Sequence, residues 1–245
     1  MKSLGRGLDI LGSFAERPRQ QFADLLTATR VPRSSLYRFL ALLEGRGFLR
    51  RDRLTGEYGA GILLYRLGNS AVWVQELRQN IRSLMPSLAD ATGESVYLYV
   101  RDGANRVCVE ALESARGPIR HAVKPGSVFP LHQGASGKVI LAFLREAERA
   151  ELLAVTTSRL APGGAARRRA LPAEIVRIRQ QGYASSENEL ASGAWGLAVP
   201  ILDRAGDCVA SLAIAGPLTR FERSRVRQYV RLLRAAAGAL ARDSS

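Results

Sequence analysis

Two histidines, His121 and His132, and two cysteines, Cys108 and Cys208, are the side chains here best suited to acid–base, nucleophilic or metal chemistry. Neither histidine has carboxylates or cysteines at ligand spacing around it, so both are read as loop or pocket residues. Each cysteine sits inside an apolar run that reads as a strand, where a small buried hydrophobe is the expected role. Glu187 and Glu189 lie close to Ser185 and Ser186, but no Gly-x-Ser-x-Gly turn accompanies them, and they are expected on the surface or a pocket rim. The run Gly134-Ala135-Ser136-Gly137-Lys138 suggests a phosphate loop until its flanks are read. That pattern needs Gly where His132 stands and Ser or Thr where Val139 stands. No catalytic residue, metal site or cofactor is expected.

Basic side chains carry the stronger signal. Leu36, Phe39, Leu40 and Leu43 recur at helical spacing, and Arg33, Ser34, Ser35, Tyr37 and Arg38 fall largely off that stripe. Pro32 suits the first turn of such a helix, where a missing N–H costs nothing. Arginines and a tyrosine near a helix start have the reach for guanine edges and phosphate oxygens, and the serines allow close approach. Arg50, Arg51 and Arg53 follow on a segment that turns at Leu54-Thr55-Gly56. They read as phosphate or minor-groove contacts, or as the solvated face of a hairpin.

Leu4, Leu8, Ile10, Leu11 and Phe14 predict a first helix that Pro18 ends, and a second runs from about Gln21 to Ala28. Gly45 and Gly47 stop the third, and the following hairpin completes a helix-turn-helix with a wing. A long helical stretch from about Ala60 to Leu88 reads as a linker, kinked or restarted at Pro86. Strands are predicted over 95–100 and 106–112 around an Asp102–Asn105 turn, then near Ile119–Val123, Leu197–Leu202 and Cys208–Ala215. Helices are predicted over about Gly137–Leu144, Pro172–Gln181 and Phe221–Arg242, with Ala161–Arg169 as a surface loop. The fold class is α+β: a winged helix-turn-helix over 1–59, a linker helix over 60–75, and over 76–245 an antiparallel sheet flanked by helices.

The formal net charge is +14, from 36 Lys and Arg against 22 Asp and Glu. Such a field favours polyanions, either nucleic acid or an anionic membrane. Residues 1–58 hold eleven Lys/Arg and six Asp/Glu, so they supply +5 and the rest of the chain +9. Basicity is thus spread over both parts, and the Arg167-Arg168-Arg169 run is read as a solvated loop. No apolar run of about 18 residues occurs and the N-terminus has no signal-peptide pattern, so a cytoplasmic protein without a membrane partner is expected.

The opening Ser3-Leu4-Gly5-Arg6-Gly7-Leu8-Asp9-Ile10-Leu11, the Val31–Leu40 segment and Tyr58-Gly59 resemble the IclR family of transcription regulators. Thr92–Leu98, Pro130-Leu131-His132 with Gly137-Lys138, Arg179 to Gly182-Tyr183 and Ala215-Gly216-Pro217 match its effector domain in order and spacing. The resemblance implies a GAF-like effector domain, a double-stranded DNA operator, a homodimer or homotetramer, and no catalysis. It also implies an effector pocket at Gly134, Ala135, Ser136, Ser186, Ala194, Gly196, Ala213 and Ala215. Exposed N–H groups at Gly134–Ser136 would suit a carboxylate, or simply be a bare helix cap. Family members that bind small 2-oxo acids carry polar side chains on the last strand, whereas Ala213 and Ala215 stand here. A larger organic or aromatic acid is therefore expected. Two rivals stay open at this point: an enzyme with a DNA-binding appendage, and an architectural DNA-binding protein without a ligand.

Overall fold

The computed structural model describes residues 2–114, 123–158 and 165–243. The predicted strand positions 119–122, His121 and loop residues 161–164 lie outside the described residues. The chain divides into two compact units between Val72 and Trp73.

In the first unit, helices α1 (Lys2–Glu16), α2 (Phe22–Thr29) and α3 (Arg33–Gly45) enclose a core of Ile10, Phe14, Leu25, Leu36, Leu40, Leu49 and Tyr58. Arg30 adopts the left-handed conformation at the end of α2, and its N–H closes the helix on the Leu26 carbonyl. A three-stranded antiparallel sheet in the order β1 (Arg19–Gln20), β3 (Tyr58–Ala60), β2 (Leu49–Arg51) forms the wing. The two-residue β1 is absent from the sequence reading because it has no room for an alternating pattern. It is fixed instead by buried Gln20, whose amide donates to Ser13 Oγ at 3.1 Å.

The expected single linker helix is broken. Helix α4 (Ile62–Asn69) stops at Ser70, whose hydroxyl donates to the Leu67 carbonyl, and α5 (Val72–Thr92) begins afresh. Gly68-Asn69-Ser70 explains the break: glycine is a poor helix former, and Asn and Ser compete for the backbone's hydrogen bonds. Pro86 does not restart the helix, since it lies inside α5. Burial of Leu77, Ile81, Met85 and Leu88 holds that helix through the missing hydrogen bond.

The second unit is built on a six-stranded antiparallel sheet. Its order is β6 (Val128–Pro130), β5 (Asn105–Leu112), β4 (Ser95–Asp102), β9 (Cys208–Pro217), β8 (Ala194–Leu202), β7 (Ala184–Glu187). Side chains alternate between two cores. Val96, Leu98 and Val100 of β4 pack with α5 and α9 (Val226–Asp243). Tyr97 and Tyr99 share the opposite core with α6 (Gly134–Ala142) and α8 (Ala165–Gln181). Burial on both faces explains why β4 reads as an almost unbroken apolar run.

Four further departures concern this unit: one helix, two strands and the start of another helix. Helix α7 (Glu146–Ser158) and strands β6 and β7 were not anticipated; β7 is an Ala-Ser-Ser-Glu edge strand with only Ala184 buried. Residues 165–169, read as loop, are the first turns of α8. Their Ala-Ala-Arg-Arg-Arg sequence is a good helix former, and Leu171, Ile175 and Ile178 bury the stripe that follows. Both cysteines are buried, and desolvation pushes each thiol up to about 12, so they behave as small apolar side chains.

Candidate DNA-contacting face and ligand cavity

Helix α3 keeps Leu36 and Leu40 in the core and leaves Arg33, Ser34, Tyr37 and Arg38 exposed, with Ser35 half-buried. Phe22 of α2, which the sequence reading passed over, organises this face. Its ring stacks on Tyr37 with centroids 4.2 Å apart, and the Arg33 guanidinium lies 5.5 Å from it. Ser35 and Arg38 border a groove together with Ser3 and Arg6 of α1. Of the cations on this face, Arg33 is braced against Phe22 before any partner arrives, which lowers the entropy that it loses on contact.

On the wing, Arg50, Arg51 and Arg53 are all exposed. Arg51 is the most constrained, lying 5.4 Å from the Tyr58 ring with Nε donating to the Gly56 carbonyl. The Asp52 carboxylate accepts the Leu54 and Thr55 N–H groups, which fixes the turn and holds its carboxyl below the usual carboxylate range.

In the second unit, a cavity of about 230 Å³ opens between the sheet and the start of α6. It collects seven of the eight expected effector residues. Ala194 and Gly196 come from β8, Ala213 and Ala215 from β9, Ser186 from β7, and Ala135 and Ser136 from α6. Gly134 stands at its edge, where its N–H donates to Glu189 Oε2 at 2.9 Å. Small residues line the strand side, and Tyr97, Tyr99, Phe129 and Trp195 supply aromatic wall. Trp195 both lines the cavity and fills the core, stacked against Tyr229.

The helix start differs from its expected state. Gly134 and Ala135 do not present open N–H groups; Glu189 and the Ser186 hydroxyl, at 3.1 Å, already accept them. Glu189 is thus a cavity residue and belongs to a partly buried ion network around Lys138. Lys138, fully buried, donates to Glu174 and Glu189 at 2.6 Å each and to the Ser185 carbonyl at 3.1 Å. Arg167, read from sequence as solvated, reaches the same two carboxylates at 2.8 and 3.1 Å. The signal available in sequence was Lys138 itself, a cation in an apolar run, which is buried only when paired.

Beneath this end of α6 lies Arg106, fully buried, its guanidinium 5.2 and 5.1 Å from the Tyr99 and Phe129 rings. Nη1 donates to the Pro130 carbonyl at 2.6 Å. Nε and Nη2 have no hydrogen-bond partner among the described residues. Desolvation lowers this guanidinium to about 10 and, with the charges of Arg167 and Arg106, also lowers His132. Gly137 is required here: a Cβ on it would stand 2.5 Å from the Leu131 carbonyl and 2.6 Å from Arg106 Nη1. Gly137→Ala is expected to destabilise this unit by about 1–3 kcal/mol through overpacking. Thermal denaturation followed by circular dichroism checks it, an unchanged melt being the contrary result.

No group of three or more metal-ligating side chains occurs, and no helix is long and apolar enough to cross a membrane, among the described residues. The model of the IclR helix-turn-helix domain matches residues 3–53, and that of the bacterial transcriptional regulator IclR C-terminal region matches residues 69–242. The HTH-type transcriptional regulator XynR of Escherichia coli K12 is 28% identical over 244 residues, covering 99% of this chain and 96% of that protein. KdgR of the same strain is 28% identical over 229 residues, covering 93% and 87%. The solved IclR of Thermotoga maritima is 26% identical with a TM-score of 0.69, covering 100% of this chain and 99% of that one. An IclR homolog from Microbacterium hydrocarbonoxydans, complexed with 4-hydroxybenzoate, shares the fold at 24% identity and a TM-score of 0.82, covering 99% and 98%. These relatives are named as regulators of transcription, which is not a catalytic function. With both domain models matched in order along nearly its whole length, the chain belongs to the IclR family of bacterial transcriptional regulators.

Proposed function

We propose that this regulator reads its operator with α3 and the wing, and that an organic acid, preferably aromatic, occupies the cavity and controls that binding. The observation that carries the ligand class is the pairing of small strand residues, Ala213, Ala215, Ala194 and Gly196, with aromatic walls, while the Arg106 guanidinium stands behind the first residue of α6. The 4-hydroxybenzoate of the Microbacterium homolog is a ligand of the same class. In this reading two copies place their α3 helices in successive major grooves, with Arg33, Tyr37 and Arg38 at base edges or phosphates and Arg50, Arg51 and Arg53 on the backbone. Exposed Leu4 and Leu8 on α1 and Ile62 and Tyr65 on α4 supply apolar surface for a homodimer or a pair of dimers. The DNA half of this reading is tested by titrating the pure protein on DNA from upstream of its own gene against scrambled competitor at fixed salt. Arg38→Ala is expected to weaken specific binding by ~1–3 kcal/mol with the fold intact. Unchanged affinity would remove Arg38 from the contact set.

A further inference from the structure

The cavity already holds a carboxylate of its own. Glu189 lines it, accepts the Gly134 N–H at the first turn of α6, and is anchored by Lys138 and Arg167. An acid entering the cavity therefore meets not open helix-end donors but a resident anion on the donor it needs.

The charges around that point do not balance. Lys138 and Arg167 are matched by Glu174 and Glu189, two cations against two anions. Arg106 is a third cation, fully buried, with Nε and Nη2 unpartnered among the described residues. Its Nη2 is aimed at the same helix end, 3.1 Å from where a Cβ of Gly134 would stand. A buried cation with two unpartnered N–H-bearing nitrogens and no carboxylate bonded to it among the described residues favours one further negative charge nearby. Helix start and guanidinium thus converge on an anion from two directions.

Of the two carboxylates, Glu174 lies within α8, whereas Glu189 belongs to no helix or strand. It sits just beyond β7 in the connection to β8, and its side chain retains about a fifth of its exposure. The backbone there is pinned independently by Asn188, whose N–H donates to the Ala194 carbonyl and whose side chain accepts the Gly193 N–H. On its departure Lys138 would keep Glu174 and the Ser185 carbonyl.

We infer that Glu189 is a built-in competitor of the effector: the ligand's carboxylate takes its place on the Gly134 N–H above Arg106, and Glu189 turns outward. This rests on the acid-effector reading above. The exchange makes occupancy depend on out-competing an intramolecular anion, whose effective concentration is high. It sets a concentration threshold for the response.

The test is isothermal titration calorimetry of the full chain with benzoate and with uncharged benzamide. The wild type is expected to prefer benzoate, and Glu189→Gln to bind benzoate tighter by about tenfold or more with benzamide little changed. Glu174→Gln removes the same charge from the same two cations but leaves Gly134 occupied, and is expected to stay within about twofold of wild type. Glu189→Asp keeps the charge while drawing the carboxylate back from Gly134, and is expected to fall between; it carries the test should the Gln variant not fold. Benzoate binding in the wild type without tightening in either Glu189 variant, or with equal tightening in Glu174→Gln, overturns the exchange and leaves the acid reading standing. Benzamide binding as well as benzoate throughout, or benzoate binding to none of the proteins, overturns both.

Discussion

Lys138→Met is expected to lower the melting temperature of the C-terminal unit by roughly 10 °C, because it removes about 3 kcal/mol of stability from a domain of this size. The lysine stem is fully buried, and methionine replaces its volume and flexibility closely, so packing changes little. What is lost is the cation between Glu174 and Glu189, whose carboxylates keep only 17% and 21% of their exposure. Arg167 still faces both, which places the expected cost at the lower end of the range for breaking a buried ion pair. Thermal denaturation at neutral pH reads the loss. Adding Glu174→Gln and Glu189→Gln to the variant is expected to restore much of it, since the penalty lies in uncompensated charge rather than in the vanished bonds. A single variant that melts within about 2 °C of wild type would mean that the network contributes little to stability.

The parts of this structure that were legible in the sequence are those whose pattern repeats within one element. Leu36 and Leu40 lie one helical turn apart on α3 and are both buried, which left Arg33, Tyr37 and Arg38 outside by elimination. Strands β4 and β5 flank a two-residue turn whose Gly103 takes a positive φ, as the Asp-Gly signal implies. The opposite holds where one residue or a few decide the outcome. Helix α5 continues past Pro86 because tertiary burial outweighs the proline, whereas nothing buried carries α4 past the poor helix formers Gly68-Asn69-Ser70. Arg167, in the first turns of α8, meets Glu174 two turns along the same helix and Glu189 across a connection. Periodicity does not encode such contacts.

The same division runs through the ligand cavity. Ala213 and Ala215 lie two residues apart on β9 and so share a face, with Ile214 between them in the opposite core. Arg106, Lys138 and Glu189 come from a strand, a helix and a connection, and each looks ordinary in its own segment. Only the fold sets the Gly134 N–H, the Glu189 carboxylate and the Arg106 guanidinium around one point.

Ala213→Phe is expected to abolish the effector response, with an affinity loss on the order of 100-fold, while operator binding in the absence of effector stays within about twofold of wild type. Ala213 pairs with Tyr97 on β4 and Ala198 on β8, in the middle of the sheet, and its methyl group forms part of the cavity wall. A benzyl group there projects into the space between Tyr97, Tyr99 and the α6 start that a ring-bearing acid would fill. Because the cavity already offers that volume, the overpacking cost should be below that of the same change in a filled core. Ala215→Phe, on the same face, is expected to act alike. The proposed DNA face belongs to the other unit, so operator affinity without ligand controls for that unit, thermal denaturation checks that the mutated unit is folded, and the ratio of affinities with and without ligand reports the cavity. Variants that bind operator normally and still respond at wild-type ligand concentrations would place the effector outside this cavity, and the Glu189 exchange would fall with it.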